Sequence, residues 1–205
     1  MGKEKKQSAR MLSAVENFEY QRDLLLQQGY TEKSEIISVL KANAMAVVLA
    51  VPIVAAVVWA YLLAWQDIVS SPLSDLWVLL LFILSIPIHE LLHGIGWSIF
   101  CKAGFRSVRF GVMWSKLTPY CSCKEPLGGW PYLTGGMLPL VVLGLIPAVL
   151  AIVVGNSSLM FFGLLGVVAS GGDMMICLNL IKYRRALFLD HPSDCGFVAF
   201  AKDEG

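Results

Sequence analysis

The sequence predicts a mainly α-helical, polytopic membrane protein with four transmembrane helices and a small β-hairpin or sheet between helices two and three. Hydrophobic residues make up 57% of the 205 residues, and only 15% are charged. The charges cluster at the amino terminus, in one middle segment and in the tail, with long uncharged stretches between. A soluble domain of this length rarely has so apolar a composition, and this distribution of charge is typical of membrane proteins.

Four apolar segments are long enough to span about 30 Å of hydrocarbon. They lie at about residues 44–65, 76–100, 136–154 and 159–181. Short connections join the first segment to the second and the third to the fourth, while a longer loop, 101–135, separates the two pairs. We expect residues 44–181 to form the membrane core. Residues 1–43 would precede it as an amphipathic helical segment, and residues 182–205 would follow it as a tail.

The distribution of Lys and Arg predicts the orientation. All 16 basic residues lie in the amino-terminal segment, the long middle loop or the tail, and the two short connections have none. With four spans these three regions fall on one side, which the positive-inside rule makes cytoplasmic. We therefore expect a multi-pass protein with both termini in the cytoplasm.

Two patterns predict local structure outside the spans. Gly29 is expected to end an amphipathic helix of about residues 8–28, which would lie on the membrane, pack on the loop or remain solvated. Thr31 is expected to cap a second helix that begins at Glu32 and runs into the first span. In the loop, residues 105–110 mix apolar and polar side chains, Gly111 follows, and residues 112–120 favour β-structure, so a hairpin is predicted.

The segment His89-Glu90-Leu91-Leu92-His93 fits the pattern His-Glu-x-x-His. On a helix, residues four apart share a face, so both imidazoles can bind one metal ion. Zn²⁺ in such a site activates water and polarises a carbonyl. Glu90, about 100° round the helix from His89, would take the proton of the water and pass it to the leaving amine. The alternative is a polar helix face satisfied by neighbouring helices, but ionisable groups inside a membrane are costly and mark functional sites.

Asp173 is the predicted third metal ligand, because it is the only other acidic residue inside a predicted span. Counting at about 1.5 Å per residue from the ends of the spans places it at roughly the depth of His89 and His93. Zinc with one ligand carboxylate and an ionised Glu90 would also be formally neutral. An interhelical hydrogen bond is the alternative role for Asp173. Rival third ligands in the tail are Asp190, His191 and Asp194.

Other residues are predicted to support the site. Pro87 is expected to kink the motif helix and admit water. Asn179 would hold the substrate backbone or make an interhelical hydrogen bond. Because a helix hides its carbonyl groups, a substrate must unwind, and an exposed strand beside the site could pair with it. The apolar residues of that strand segment are Phe105, Val108 and Phe110.

The order of several motifs resembles a known class of enzymes. The motifs are HELLHG (89–94), YCSCKEPL (120–127), Leu138-Pro139 through Pro147, GGD (171–173) and DHP (190–192). Together they resemble the site-two protease class of intramembrane metalloproteases and are similar, over about residues 35–200, to a bacterial family of zincin peptidases. The resemblance implies a bacterial cell membrane, zinc ligands at His89, His93 and Asp173, and catalysis by Glu90. Site-two proteases usually have Asp-Gly at the third ligand, whereas here Asp173 follows two glycines.

The predicted function is therefore a zinc-dependent intramembrane or membrane-proximal peptidase. Its partners would be the bilayer and a membrane-protein or peptide substrate. A net charge of +1 gives no indication of nucleic-acid binding, and no feature specifies an oligomeric state. The alternatives are a metal or proton transporter, since intramembrane His and Asp also mark ion pathways, and a membrane protein that binds clients without cleaving them.

Overall fold

The computed structural model describes residues 2–36, 39–69, 71–113, 118–183, 185–192 and 196–202. The helices are α1 (Gly2–Gln27), α2 (Val39–Trp65), α3 (Pro72–Ser98), α4 (Gly129–Pro139), α5 (Ile146–Val154), α6 (Ser157–Ala169) and α7 (Gly171–Leu180). A π-helical segment, Leu140–Leu145, joins α4 to α5, and 3₁₀ turns occupy Gly104–Ser107 and Ile181–Tyr183. The strands are β1 (Tyr30–Ile36), β2 (Val108–Met113), β3 (Thr118–Cys123), β4 (Leu127–Gly128), β5 (Leu187–Asp190) and β6 (Gly196–Lys202).

Within the described residues, three helices are long and apolar enough to cross a membrane: Ala44–Trp65, Leu73–Ser98 and Gly129–Val154. A fourth span exists only if α6 and the helix after it count as one span with a 46° bend. The prediction of a mainly helical fold with apolar spans is thus confirmed, with two corrections. The third span begins at Gly129 rather than near residue 136, and the fourth is broken at Ser170.

Two prolines explain the irregular third span. Pro139 ends α4 and Pro147 lies in the first turn of α5, with the π-helical segment between them. A proline has no N–H to donate to the carbonyl four residues earlier, so each one interrupts the helical hydrogen-bond ladder. The chain absorbs the interruption as a π-helix, in which the backbone N–H of Ile146 donates to the carbonyl of Val141.

The predicted helix at Thr31 is wrong. Gly29 does end α1, with a positive φ of 81°, but Tyr30–Ile36 then forms β1. This strand pairs antiparallel with β6 along its whole length, and the Thr31 hydroxyl donates to the Ala201 carbonyl at 3.0 Å. Pairing with a distant strand overrides the local capping signal, because propensity and capping are weak compared with tertiary contacts.

The tail forms part of a four-stranded antiparallel sheet in the order β1-β6-β5-β4. The sequence did not predict this sheet. Its core holds the fully buried rings of Phe188, Phe197 and Phe200. One face is covered by α1, whose Phe18 and Leu25 pack against the sheet. The amphipathic helix therefore packs on protein, and its Asn17 amide also donates to the carbonyl of Lys124 in the loop at 3.0 Å.

The predicted hairpin in the middle loop is confirmed, since β2 and β3 pair antiparallel from Val108↔Cys123 to Met113↔Thr118. Its boundaries differ from those predicted. Phe105 lies in a 3₁₀ turn, and Gly111, which follows the first β-like segment, lies inside β2 opposite Tyr120. A Cβ on Gly111 would lie 2.5 Å from the Tyr120 ring, so this glycine makes room for an aromatic side chain and does not form a turn.

The glycine pair before Asp173 allows a matched test of helix packing. A Cβ on Gly171 would lie 2.5 Å from Ala46 Cβ in α2, whereas a Cβ on Gly172 would meet nothing within 4 Å. We expect Gly171→Ala to lower the free energy of unfolding by about 1–3 kcal/mol, because the two helices must separate. Gly172→Ala should leave it unchanged or raise it by up to about 1 kcal/mol through helix propensity.

Thermal unfolding of both variants in the same detergent measures this difference. Equal unfolding midpoints for the two variants would contradict the close approach of α7 to α2.

Candidate metal centre

The two histidines of the motif lie one turn apart on α3, with ring centroids 4.9 Å apart. The helix runs from Pro72 to Ser98 and contains Pro87 in its interior. Because α3 continues through Pro87, this proline does not end the helix before the motif. The kink and the water access expected there stay predictions.

Asp173 lies in the first turn of α7, just after the break that separates this helix from α6. Its Oδ2 atom is 3.1 Å from Nε2 of His89, and its Oδ1 atom is 3.4 Å from Nε2 of His93. Among the described residues, these three side chains form the group whose ligand atoms all lie within 4.8 Å of one another. The structure thus brings together the three residues that the sequence predicted as metal ligands.

The donor set fits zinc. Two imidazole nitrogens and one carboxylate oxygen are ligands that zinc accepts, and catalytic zinc sites have three protein ligands and one open position. Protein covers most of the group, since the side chains of His93 and His89 are 7% and 14% exposed. The Asp173 side chain keeps 21% of its surface uncovered, so the group borders an opening and is not sealed inside the protein.

A hydrogen bond and a stacked ring hold His93. Its Nδ1 atom lies 2.9 Å from the carbonyl oxygen of Gly135, so its Nε2 atom is the one that faces Asp173. The indole of Trp97 stacks on the imidazole, with ring centroids 5.3 Å apart and planes 15° apart. Nε1 of Trp97 donates to the Tyr132 carbonyl at 3.0 Å, which fixes the indole in turn. Metal-binding histidines commonly donate their second ring nitrogen in this way, which sets the tautomer and the ring orientation.

Glu90 lies beside the metal group and borders the hairpin. It follows His89 on α3, and the strand β3, which packs against this helix, brings the Cys121 backbone near its carboxylate. The carboxylate thus lies next to the ligands without being one of the three grouped residues. A general base would have to lie close to the metal group in this way, so the role predicted for Glu90 stays a prediction.

Of the rival ligands in the tail, Asp190 and His191 are among the described residues, and neither belongs to the metal group. Asp190 accepts hydrogen bonds from the Tyr132 hydroxyl and, at 2.6 Å, from the Cys123 backbone N–H. Burial raises the pKa of Asp190 to about 6, although these two donors act in the opposite direction. His191 packs edge-on against Phe18, with centroids 5.6 Å apart. Asp194 lies outside the described residues.

The predicted support residues divide into two groups. Phe110 and Val108 of β2 lie against α3 at Gly94, where an added Cβ would be 2.5 Å from Phe110 Cζ and 3.1 Å from Val108 Cγ1. The ring of Phe105 lies 5.6 Å from that of Phe110. All three are therefore adjacent to the motif helix. Asn179 is half-buried near the end of α7, six residues and about 9 Å along the helix from Asp173.

The sequence did not predict the roles of Trp97, Tyr132 and Gly135. One signal was available for Trp97, which follows His93 by four residues and therefore shares its helix face. No comparable signal exists for Tyr132 or Gly135, because their contacts with α3 depend on how α4 packs. The two helices meet closely here, since a Cβ on Gly96 would lie 2.6 Å from Gly135 Cα.

A His–His–carboxylate group on apolar helices, with a glutamate alongside, has the composition of a metallopeptidase centre. The sequence profile of one protein family, described as "Putative zincin peptidase", matches residues 82–188. That range covers just over half of the chain, so the protein belongs to this family, and the zincin class implies zinc. The range includes His89, Glu90, His93 and Asp173. Searches of curated proteins and of solved structures found no match.

The metal group can be tested by metal content. We expect the purified protein to bind one zinc ion, and His89→Ala, His93→Ala and Asp173→Ala each to weaken zinc binding by more than about 100-fold. Loss of an outer partner already costs 10–100-fold, and loss of a ligand should cost more. His191→Ala removes the third histidine of the chain and is the matched control, with zinc binding unchanged.

Inductively coupled plasma mass spectrometry and a chelator competition assay measure both the amount and the affinity. Full zinc occupancy with unchanged affinity in Asp173→Ala would exclude Asp173 as a ligand.

Proposed function

We propose that this protein is a zinc-dependent membrane peptidase that hydrolyses peptide bonds within or next to the bilayer. The observation that supports this proposal best is the grouping of His89, His93 and Asp173 within 4.8 Å on apolar helices, with Glu90 beside them. Family membership supports the peptidase class. The intramembrane character is supported by the location of the grouped residues on apolar helices and by the resemblance to site-two proteases.

The division of chemical roles follows from the donor set. Zinc, when bound, supplies a Lewis acid that activates water and polarises the scissile carbonyl. Glu90 takes a proton from the attacking water and delivers it to the leaving amine. The Gly135 carbonyl orients the ring of His93, and the strand β3, which carries Cys121, packs against the helix that carries Glu90. These contacts preorganise the site before substrate binds.

The substrate is a peptide segment in an extended conformation. A helical substrate hides its carbonyl groups, so cleavage requires local unwinding, and an unwound segment needs new backbone partners. The hairpin β2–β3 lies directly against the motif helix and could supply them. Phe110 and Phe105 are 40% and 49% exposed beside α3, so they can contact apolar substrate side chains near the site. A membrane-protein segment fits this environment better than a soluble polar peptide.

We also propose that both termini lie in the cytoplasm of a bacterial cell. The positive-inside rule supports this orientation, because the basic residues cluster in the segments that form α1, the loop and the tail. The hairpin and the four-stranded sheet then lie on the cytoplasmic side of α3. Cleavage would release the cytoplasmic part of a substrate.

Glu90→Gln tests whether the protein is an enzyme. We expect this variant to keep zinc and to lose cleavage of a membrane-protein substrate by about 10²–10⁴-fold, the usual contribution of a general base. The amide is nearly isosteric with the carboxylate, but it cannot accept the proton of water. Cleavage in proteoliposomes and zinc content are measured on the same preparation.

The two alternative functions predict other results. A metal or proton transporter would keep its ion flux in Glu90→Gln, and a client-binding protein would keep its complexes. Unchanged peptide cleavage in this variant would exclude Glu90 as the base, and absence of zinc from the wild type would exclude the peptidase proposal.

Phe110→Ala tests the substrate role of the hairpin. We expect kcat/KM for an apolar substrate to fall by about 10-fold or more, because a side chain that contacts substrate beside the metal is lost, worth about 1–3 kcal/mol. Val112→Ala is the matched control, since Val112 lies on the same strand with a similar exposure of 37%. Zinc affinity should be unchanged in both variants. Equal kcat/KM values for the two variants would contradict a specific role for Phe110.

A further inference from the structure

Pro139 determines which backbone group can hold His93. In an α-helix, each N–H donates to the carbonyl four residues earlier. Position 139 has no N–H, so the Gly135 carbonyl lacks the donor that any other residue there would supply. The carbonyl of Gly135 accepts instead from Nδ1 of His93, at 2.9 Å, and this contact is buried.

We infer that Pro139 is a positioning residue for the metal centre, because it leaves the Gly135 carbonyl available to hold the His93 ring with Nε2 directed at Asp173. This inference rests on the metal role proposed for His93 but not on peptide cleavage. Proline acts here through a missing donor.

The surrounding packing keeps the carbonyl in place. Gly135 has no room for a side chain, because a Cβ there would overlap the Trp97 indole. A Cβ on Gly96 of α3 would lie 2.6 Å from Gly135 Cα, so α3 and α4 pack closely near His93. The Trp97 indole stacks on the face of the imidazole and restrains its orientation further.

The second proline of the same span provides an internal comparison. Pro147 leaves the carbonyl of Leu143 without its helical donor in the same way. That carbonyl faces Gly166 of α6 and not the metal group. Pro139 and Pro147 are both buried and both interrupt the ladder. The two prolines differ in what lies next to the freed carbonyl, so Pro147 serves as the matched control for Pro139.

Pro139→Ala restores an N–H that competes with His93 for the Gly135 carbonyl. We expect zinc affinity to fall by about 10-fold, at the lower end of the 10–100-fold effect of losing an outer partner of a metal-binding histidine. The unfolding midpoint of the metal-free protein should stay the same or rise, because the helix gains a hydrogen bond. Pro147→Ala should leave zinc affinity unchanged.

A third variant separates the effect of the missing N–H at position 139 from the effect of the proline ring. Lactic acid at position 139 is the ester analogue of alanine and has no N–H, so it should bind zinc as the wild type does. The ¹⁵N chemical shifts of the His93 ring in metal-free protein report the tautomer directly, and with three histidines in the chain their assignment is simple. We expect Nδ1 to be protonated in the wild type and in the ester variant, and less so in Pro139→Ala.

The outcomes distinguish the inference from the proposed function. Equal zinc affinity in Pro139→Ala and the wild type would overturn the positioning role while leaving the metal centre intact. An equal loss of zinc affinity in the alanine and ester variants would also overturn the positioning role. The packing of the proline ring, and not the missing N–H, would then be responsible. If the wild type binds no zinc, the metal proposal fails and the positioning role of Pro139 fails with it, even where the His93 ring shows the expected tautomer.

Discussion

The Asp173 carboxylate, set against two imidazole nitrogens between apolar helices, is the contact on which the rest of the structure depends. A carboxylate in such surroundings is costly unless it is paired or bound to a metal ion. Pairing this carboxylate with His89 and His93 requires the start of α7 to lie beside α3 at the depth of the two histidines. The break at Ser170 redirects the chain, and Gly171 permits contact with Ala46 on α2. The bend and the glycine are therefore consequences of placing one acidic group.

The four-stranded sheet supports the same centre through a second buried carboxylate. Asp190 of β5 accepts from the Tyr132 hydroxyl on α4 and from the Cys123 backbone on β3. The strand β3 also packs against α3, which carries Glu90, while α4 carries Gly135, which holds His93. One side chain of the tail thus ties together the two elements that contact the base and a ligand. The tail is part of the scaffold of the site.

Local patterns predicted the spans and the metal group, whereas long-range pairing remained hidden. The motif at His89–Glu90–His93 is readable because both histidines share one helix face, and Asp173 was found by counting residues from the end of a span. The strand β1 was missed, because it depends on β6, and the Thr31–Ala201 contact joins residues 170 positions apart. A capping signal at Thr31 contains no information about such a partner. The role of Asp190 was missed for the same reason, since Tyr132 lies 58 positions away.

At Pro139, irregular backbone coincides with polar chemistry, and a physical reason connects the two. Inside a membrane there is no water to satisfy a freed backbone group, so a break in a helix is stable only where protein supplies a partner. Pro139 frees the carbonyl of Gly135, four residues earlier, and His93 is the partner that satisfies it. A proline in a transmembrane sequence therefore indicates more than a kink. The carbonyl four residues before it is a place to look for a polar side chain, and here that search leads from α4 to the metal centre.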